Sequence, residues 1–280
     1  MKNRKQTPIR IALCVFVFFA TAVPGSGALG GVTERVSVDS GGNPGNLASE
    51  TPAISADGRF TAFCSDATNL VADDTNSVRD VFVHDRQTGV TERVSVDSAG
   101  NEVDDHSCGS RAIFDPFDGP VSPATSADGR FVAFVSNATN LVAGDTNGVR
   151  DVFVHDRWTR ATTRVSIDSA GSEANDPSGT NSSGGRSNQR PAISADGRLV
   201  AFLSHGSTLA PGDTNGQPDV FVHDRQTGTT TLVSVDSAGN QSNGLSDYPS
   251  ISSDGRFVAF VCTFPSMGGG VCTRPADRTN

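Results

Sequence analysis

The amino-acid sequence predicts an all-β fold, a β-propeller of four-stranded antiparallel blades, on three observations. The stretch from Pro123 to Gly171 recurs in near-copies on both sides of itself. Within each copy, polar turns (Ser-Ala-Asp-Gly, Asp-Thr-Asn, Asp-Arg-x-Thr) separate short β-rich runs. The runs are nearly continuous in Phe, Val and Ala, as in Phe131-Val132-Ala133-Phe134-Val135, which is the pattern of a strand covered on both faces. One four-stranded meander cannot bury both faces alone, so neighbouring copies must stack, and stacked four-stranded units build a propeller.

In chain order, Lys2, Arg4, Lys5 and Arg10 precede the apolar run Ile11 to Val23 and then small residues, which reads as an export signal over residues 1–30. That run is short for a membrane span, and none is expected once the signal is removed. Removal takes away four basic and no acidic side chains, so the net charge goes from −9 to −13. The domain, 31–280, opens with residues 32–40, Val-Thr-Glu-Arg-Val-Ser-Val-Asp-Ser, which match the fourth strand of the unit. Complete blades follow at about 51–101, 122–171 and 190–240, and a last begins at 248 and runs to 280 without a clear fourth strand. The strand count therefore predicts four blades, the last completed by residues 32–40, a closure that removes exposed sheet edges. Its third strand is read from Val271 to Arg278, with Ala276-Asp277-Arg278 standing for His-Asp-Arg. The alternative is a truncated piece of a larger propeller. In an antiparallel meander the second-to-third and fourth-to-first connections emerge on one face, so the Asp-Thr-Asn loops and the insertions Glu102 to Val121 and Ser172 to Arg190 crowd together there.

Residues Pro52-Ala53-Ile54-Ser55-Ala56-Asp57-Gly58-Arg59-Phe60-Thr61-Ala62-Phe63 resemble the WD-like repeat of the TolB family, Pro-x-x-Ser-Pro-Asp-Gly, two residues, then Ile-Ala-Phe. Further copies begin at Pro123, Pro191 and Pro249, with Ala or Ser in place of the family's second Pro. The resemblance implies a propeller fold and a periplasmic or secreted protein-binding platform, or the non-catalytic propeller of a peptidase.

The acidic balance excludes a nucleic-acid groove, which needs a basic stripe. Four cysteines remain after export, and with Cys64 ending a second strand near the insertion that carries Cys108, the expected disulfides are Cys64–Cys108 and Cys262–Cys272. Asp74, Asn76 and Asp80 recur as Asp145, Asn147 and Asp151 and as Asp213, Asn215 and Asp219, matching positions 3, 5 and 9 of a calcium loop. Calcium is the one cofactor these residues allow, set against an Asx-type turn that satisfies its own backbone. His84, His155 and His223 recur on third strands, a spacing that fits hydrogen bonds between blades better than a metal ring. No nucleophile elbow, zinc motif or phosphate loop is present. His106-Ser107-Cys108 as a thiol site, and Asp104, Asp105, Asp115 and Asp118 as an acid pair for glycoside cleavage, are the enzymatic alternatives. The leading expectation is a monomeric, non-catalytic exported propeller, secreted or periplasmic, that binds a protein or cell-envelope component, with a glycan-directed hydrolase or lyase as the alternative.

Overall fold

The computed structural model describes residues 32–109, 121–176, 191–264 and 268–276. The chain divides into two compact units, Met1–Glu34 and Arg35–Asn280, the first described only at its exposed end, 32–34. The second unit is built from four antiparallel meanders. The first comprises β1 (Ser49–Ile54), β2 (Phe60–Ser65), β3 (Asp80–Asp85) and β4 (Thr91–Arg93). The second holds β5 (Ala124–Thr125), β6 (Phe131–Ser136), β7 (Asp151–Asp156) and β8 (Ala161–Arg164). The third holds β9 (Ala192–Ile193), β10 (Leu199–Ser204), β11 (Asp219–Asp224) and β12 (Thr229–Leu232). The fourth has three strands, β13 (Asp247–Ile251), β14 (Phe257–Phe264) and β15 (Gly268–Pro275). No helix among the described residues is long and apolar enough to cross a membrane.

The first turn of each sheet is built by its own side chains. Ser55 Oγ accepts from Phe60 N at 2.9 Å and donates to Asp57 Oδ1 at 2.6 Å, while Asp57 Oδ1 accepts from Arg59 N. Gly58 between them takes φ +72°, open to glycine at little cost. The same bonds recur at Ser126/Asp128, Ser194/Asp196 and Ser252/Asp254. The outer strands are shorter than the β-rich runs suggest because a side chain ends the ladder: Ser95 Oγ, in place of a backbone carbonyl, accepts from Val81 N at 2.9 Å.

Each of the first three sheets carries a ring pair, Phe63/Phe82, Phe134/Phe153 and Phe202/Phe221, all with centroids 6.0 Å apart, and those of the second and third sheets face the preceding sheet. The opposite side is lined by Val and Ala. Phe134 and Phe153 pack on Ala62, Val81 and Val83 of the first sheet, Phe202 and Phe221 on Val135, Val152 and Val154 of the second, and Phe260 on Ala201, Val220 and Val222 of the third. Large rings thus fill the wedge between sheets, giving the propeller-like arrangement and the near-continuous apolar strands.

The fourth sheet departs from the expected register. Arg274 lies opposite Val258, the place of His84 opposite Thr61, so Arg274-Pro275-Ala276 stands where Ala276-Asp277-Arg278 was expected. A hairpin closing at Phe264↔Gly268 replaces the long Asp-Thr-Asn loop and sets the shift. Pro275, as the strand's last residue, sits where a missing N–H is tolerated. Among the described residues β15 pairs with β14 alone. Residues 35–46 lie against the first sheet as the end of each outer strand lies against the next: Thr91 Oγ1 donates to Val38 O, as Thr162 Oγ1 does to Val96 O.

Candidate functional site

The Asp-Thr-Asn loops are built as turns clipped to the connection that leaves the same sheet. Asn76 Oδ1 accepts from Val78 N, and its Nδ2 donates to Asp80 Oδ2 at 3.3 Å and Val103 O at 3.1 Å. Asn147 and Asn215 repeat all three bonds. Thr75 N and Oγ1 both donate to the Glu102 carboxylate, and Thr146 does the same to Glu173. The carboxylates named as calcium ligands surround a guanidinium in two loops. Arg93 Nη1 lies 2.7 Å from Glu102, 3.5 Å from Asp74 and 3.6 Å from Asp80, and Arg164 Nη1 lies 2.7 Å from Glu173, 3.2 Å from Asp145 and 3.3 Å from Asp151. In the third loop Leu232 takes the arginine's place and Gln241 the glutamate's, so Asp213 and Asp219 lose both charges together. Burial pushes Asp80 up to about 7 and Asp219 up to about 6, with hydrogen bonds from Ser95 and Ser234 opposing it. Among the described residues no cluster of three or more His, Cys, Asp or Glu is arranged to hold a metal.

The recurring histidines form a relay between sheets. His84 Nδ1 lies 2.8 Å from Thr91 Oγ1, whose hydrogen is committed to Val38 O, so the ring nitrogen must donate and the neutral tautomer is fixed. The pairs His155/Thr162 and His223/Thr230 repeat this, with Val96 O and Ile167 O as acceptors. Burial holds His155 and His223 down to about 4. Asp85, Asp156 and Asp224 each receive a bidentate guanidinium from Arg59, Arg130 and Arg198. The arginines that follow these aspartates serve the sheet junction instead: Arg157 donates to Gly129 O and lies 4.2 Å over the Phe60 ring, and Arg225 donates to Gly197 O and lies 4.5 Å over Phe131.

Cys64 is bonded to Cys108 and Cys262 to Cys272. Cys108 is therefore no thiol nucleophile, and His106 Nδ1 accepts from Arg79 N at 2.8 Å. Asp104 accepts from Thr139 N and Oγ1 of the next sheet, tying the connection down. Asp105 accepts from His106 N, while Asp115 and Asp118 lie outside the described residues.

The structure adds a feature that repeat reading passed over. The inner strands β5, β9 and β13 line a cleft of about 460 Å³, walled by Ala124, Thr125, Ile193, Pro249 and Ile251, with Tyr248 at its rim. Tyr248 and its counterpart Thr51 precede proline at bulges and hold φ +54° and +52°. A non-glycine residue in this region costs about 1–3 kcal/mol, the more so here because the following proline favours extended backbone. Tyr248 is nonetheless 46% exposed. Its signal in the sequence was that it is the chain's only tyrosine and stands before the repeat's proline.

No family model matches the chain, and no curated protein matches it. Its structural neighbours are TolB and other β-propeller proteins at low identity. TolB from Acinetobacter baumannii is 17% identical, with a TM-score of 0.45 over 83% of this chain and 42% of its own. The putative TolB from Agrobacterium tumefaciens is 16% identical, with a TM-score of 0.39 over 82% and 59%. An oligogalacturonate lyase from Vibrio parahaemolyticus is 11% identical, with a TM-score of 0.45 over 84% and 53%. The chain spans about half the length of these three proteins.

Proposed function

We propose that the chain is an exported, non-catalytic propeller that binds a protein or cell-envelope component at the face where the Asp-Thr-Asn loops, the sheet-to-sheet connections and the rim of the inner cleft meet. The observation that carries this reading is Tyr248, exposed and held in a costly backbone conformation beside a cleft lined by both apolar and polar side chains. Loops of the first two sheets are fixed by hydrogen bonds such as Asp104–Thr139 and Glu102–Thr75, so those loops have little ordering entropy to lose on binding. Two disulfides favour an oxidising compartment, secreted or periplasmic. The finer architecture, a count of four blades, belongs to this reading.

The test is capture of envelope and culture-medium components on the immobilised exported chain, compared with a Tyr248→Ala variant. The reading expects a retained partner whose capture falls at least tenfold with the variant. Equal capture by both, or none by either, overturns it.

A further inference from the structure

The junctions between successive sheets are three copies of one interface, and its two halves recur unmatched at the ends of the series. At each junction a side chain of one sheet fills the space where a Cβ would stand on a glycine of the next: Phe60 at Gly129, Phe131 at Gly197 and Leu199 at Gly255. Beside each, a turn N–H donates to the next turn's carbonyl: Ala56 to Ala127 at 3.0 Å, Ala127 to Ala195 at 3.0 Å and Ala195 to Ser253 at 2.9 Å.

The fourth sheet presents the first half again, and among the described residues no following sheet packs on it. Phe257, the counterpart of Phe60, is 46% exposed, and Val271 is 78% exposed although its counterpart Val81 is fully buried. The first sheet presents the second half. Gly58 holds φ +72°, and a Cβ there would meet only Arg86 and Ile54, with Ile54 itself 58% exposed. The strand edges match too. Among the described residues β15 lacks the outer partner that β4 gives β3, and Arg35-Val36-Ser37-Val38, which bear the residue types of Arg93-Val94-Ser95-Val96, belong to no named strand and are not buried. Within one copy the two ends do not meet among the described residues, since Phe257 and Val271 are exposed and a Cβ on Gly58 would meet only Arg86 and Ile54 of its own sheet.

We propose that two copies of this chain join head to tail through these ends. Phe257 of each copy packs on Gly58 of the other, Ser253 N donates to Ala56 O, and Arg35–Val38 add to the outer edge of β15. The occupant is a second copy because the complement of each end is the chain's own interface, already built three times. Heterologous ends of this kind close into a ring when two copies satisfy both at once. The proposal rests on the sheet junctions and stands whether or not Tyr248 binds a partner.

Two measurements test it on the full exported chain. Light scattering should give twice the mass of one chain, and Phe257→Glu with Val271→Lys should halve it while the circular dichroism of the folded chain stays unchanged, the melting temperature falling only by what association contributes. Separately, Ala56→Cys and Ser253→Cys proteins are mixed and treated with a short bis-maleimide. A covalent species of two chains should form in the mixture and in neither protein alone. A wild-type mass of one chain overturns the proposal, as does a mass unmoved by the double substitution, or an unlinked mixture. If both cysteines in one chain instead link to each other, the ring closes within a single copy, which also overturns it.

Discussion

Arg160 occupies a turn position that glycine fills in two sister sheets: it holds φ +63°, where Gly89 and Gly228 hold +76° and +73°. An L-residue pays about 1–2 kcal/mol there, and nothing in the turn's hydrogen bonds needs the arginine side chain. Arg160→Gly should therefore stabilise the protein by about 1 kcal/mol in chemical denaturation, and a loss of stability would refute the backbone account. The third loop allows a pH-dependent prediction. Asp219, with a folded value of about 6 against the ordinary 3.8, takes up a proton on folding, so its contribution is full below about pH 4 and lost as pH rises through 6. The loss is of order 3 kcal/mol. Leu232→Arg puts back the guanidinium that Arg164 supplies to Asp151 at 3.3 Å. Its gain in melting temperature should be larger near pH 8 than near pH 4, and equal gains at both would count against it. At this scale the sequence spelled out the Asx turns, since Asn and the later Asp are spaced for them. It did not reveal that Arg93 and Arg164 fill the carboxylate cluster, because those arginines lie on outer strands that only folding brings beside the loops.

Among elements, strands and turns were legible wherever the repeat was intact, because Ser-Ala-Asp-Gly carries its own hydrogen bonds and the Phe and Val positions alternate between fixed neighbours. The fourth sheet was misread by two residues at β15, since a register set by a hairpin cannot be deduced by matching Ala-Asp-Arg to His-Asp-Arg. The inner strands were foreseen, but the bulges that throw Thr51 and Tyr248 into positive φ were not, because the proline after each reads equally well as an ordinary strand start. The two disulfides bind elements differently. Cys64–Cys108 joins β2 to the connection reaching the second sheet, across a separation of 44 residues, whereas Cys262–Cys272 spans 10 within one hairpin. If restriction of the unfolded chain dominates, Cys64→Ala with Cys108→Ala should cost about 1 kcal/mol more than Cys262→Ala with Cys272→Ala. Comparing the two double variants by denaturant unfolding measures the difference, and a larger loss from the hairpin pair would show that native packing around Cys262 outweighs loop closure.

At the scale of the molecule, stability passes from sheet to sheet through repeated contacts, so the first sheet depends on whatever occupies the place of a preceding one. Residues 35–46 take that place. Val38 O accepts from Thr91 Oγ1, Ser40 Oγ accepts from Thr91 N at 3.0 Å, and Asn46 exchanges hydrogen bonds with Thr68 and Asn69. A chain that begins at Asn43 keeps the Asn46 bonds but strips Thr91 of both partners and leaves the His84 relay without its final acceptor. Two to three hydrogen bonds at about 1 kcal/mol each translate into a melting temperature lower by roughly 5–10 °C for a unit of this size. The same truncation removes Arg35–Val38, the strand offered to β15, so its mass in light scattering should fall to that of one chain even at temperatures where it remains folded. Calorimetry and light scattering on one sample separate the two effects. A lowered melting temperature with an unchanged mass would confine the segment to bracing its own first sheet, and an unchanged melting temperature would mean that the Thr91 contacts contribute nothing and that the first sheet stands without a neighbour.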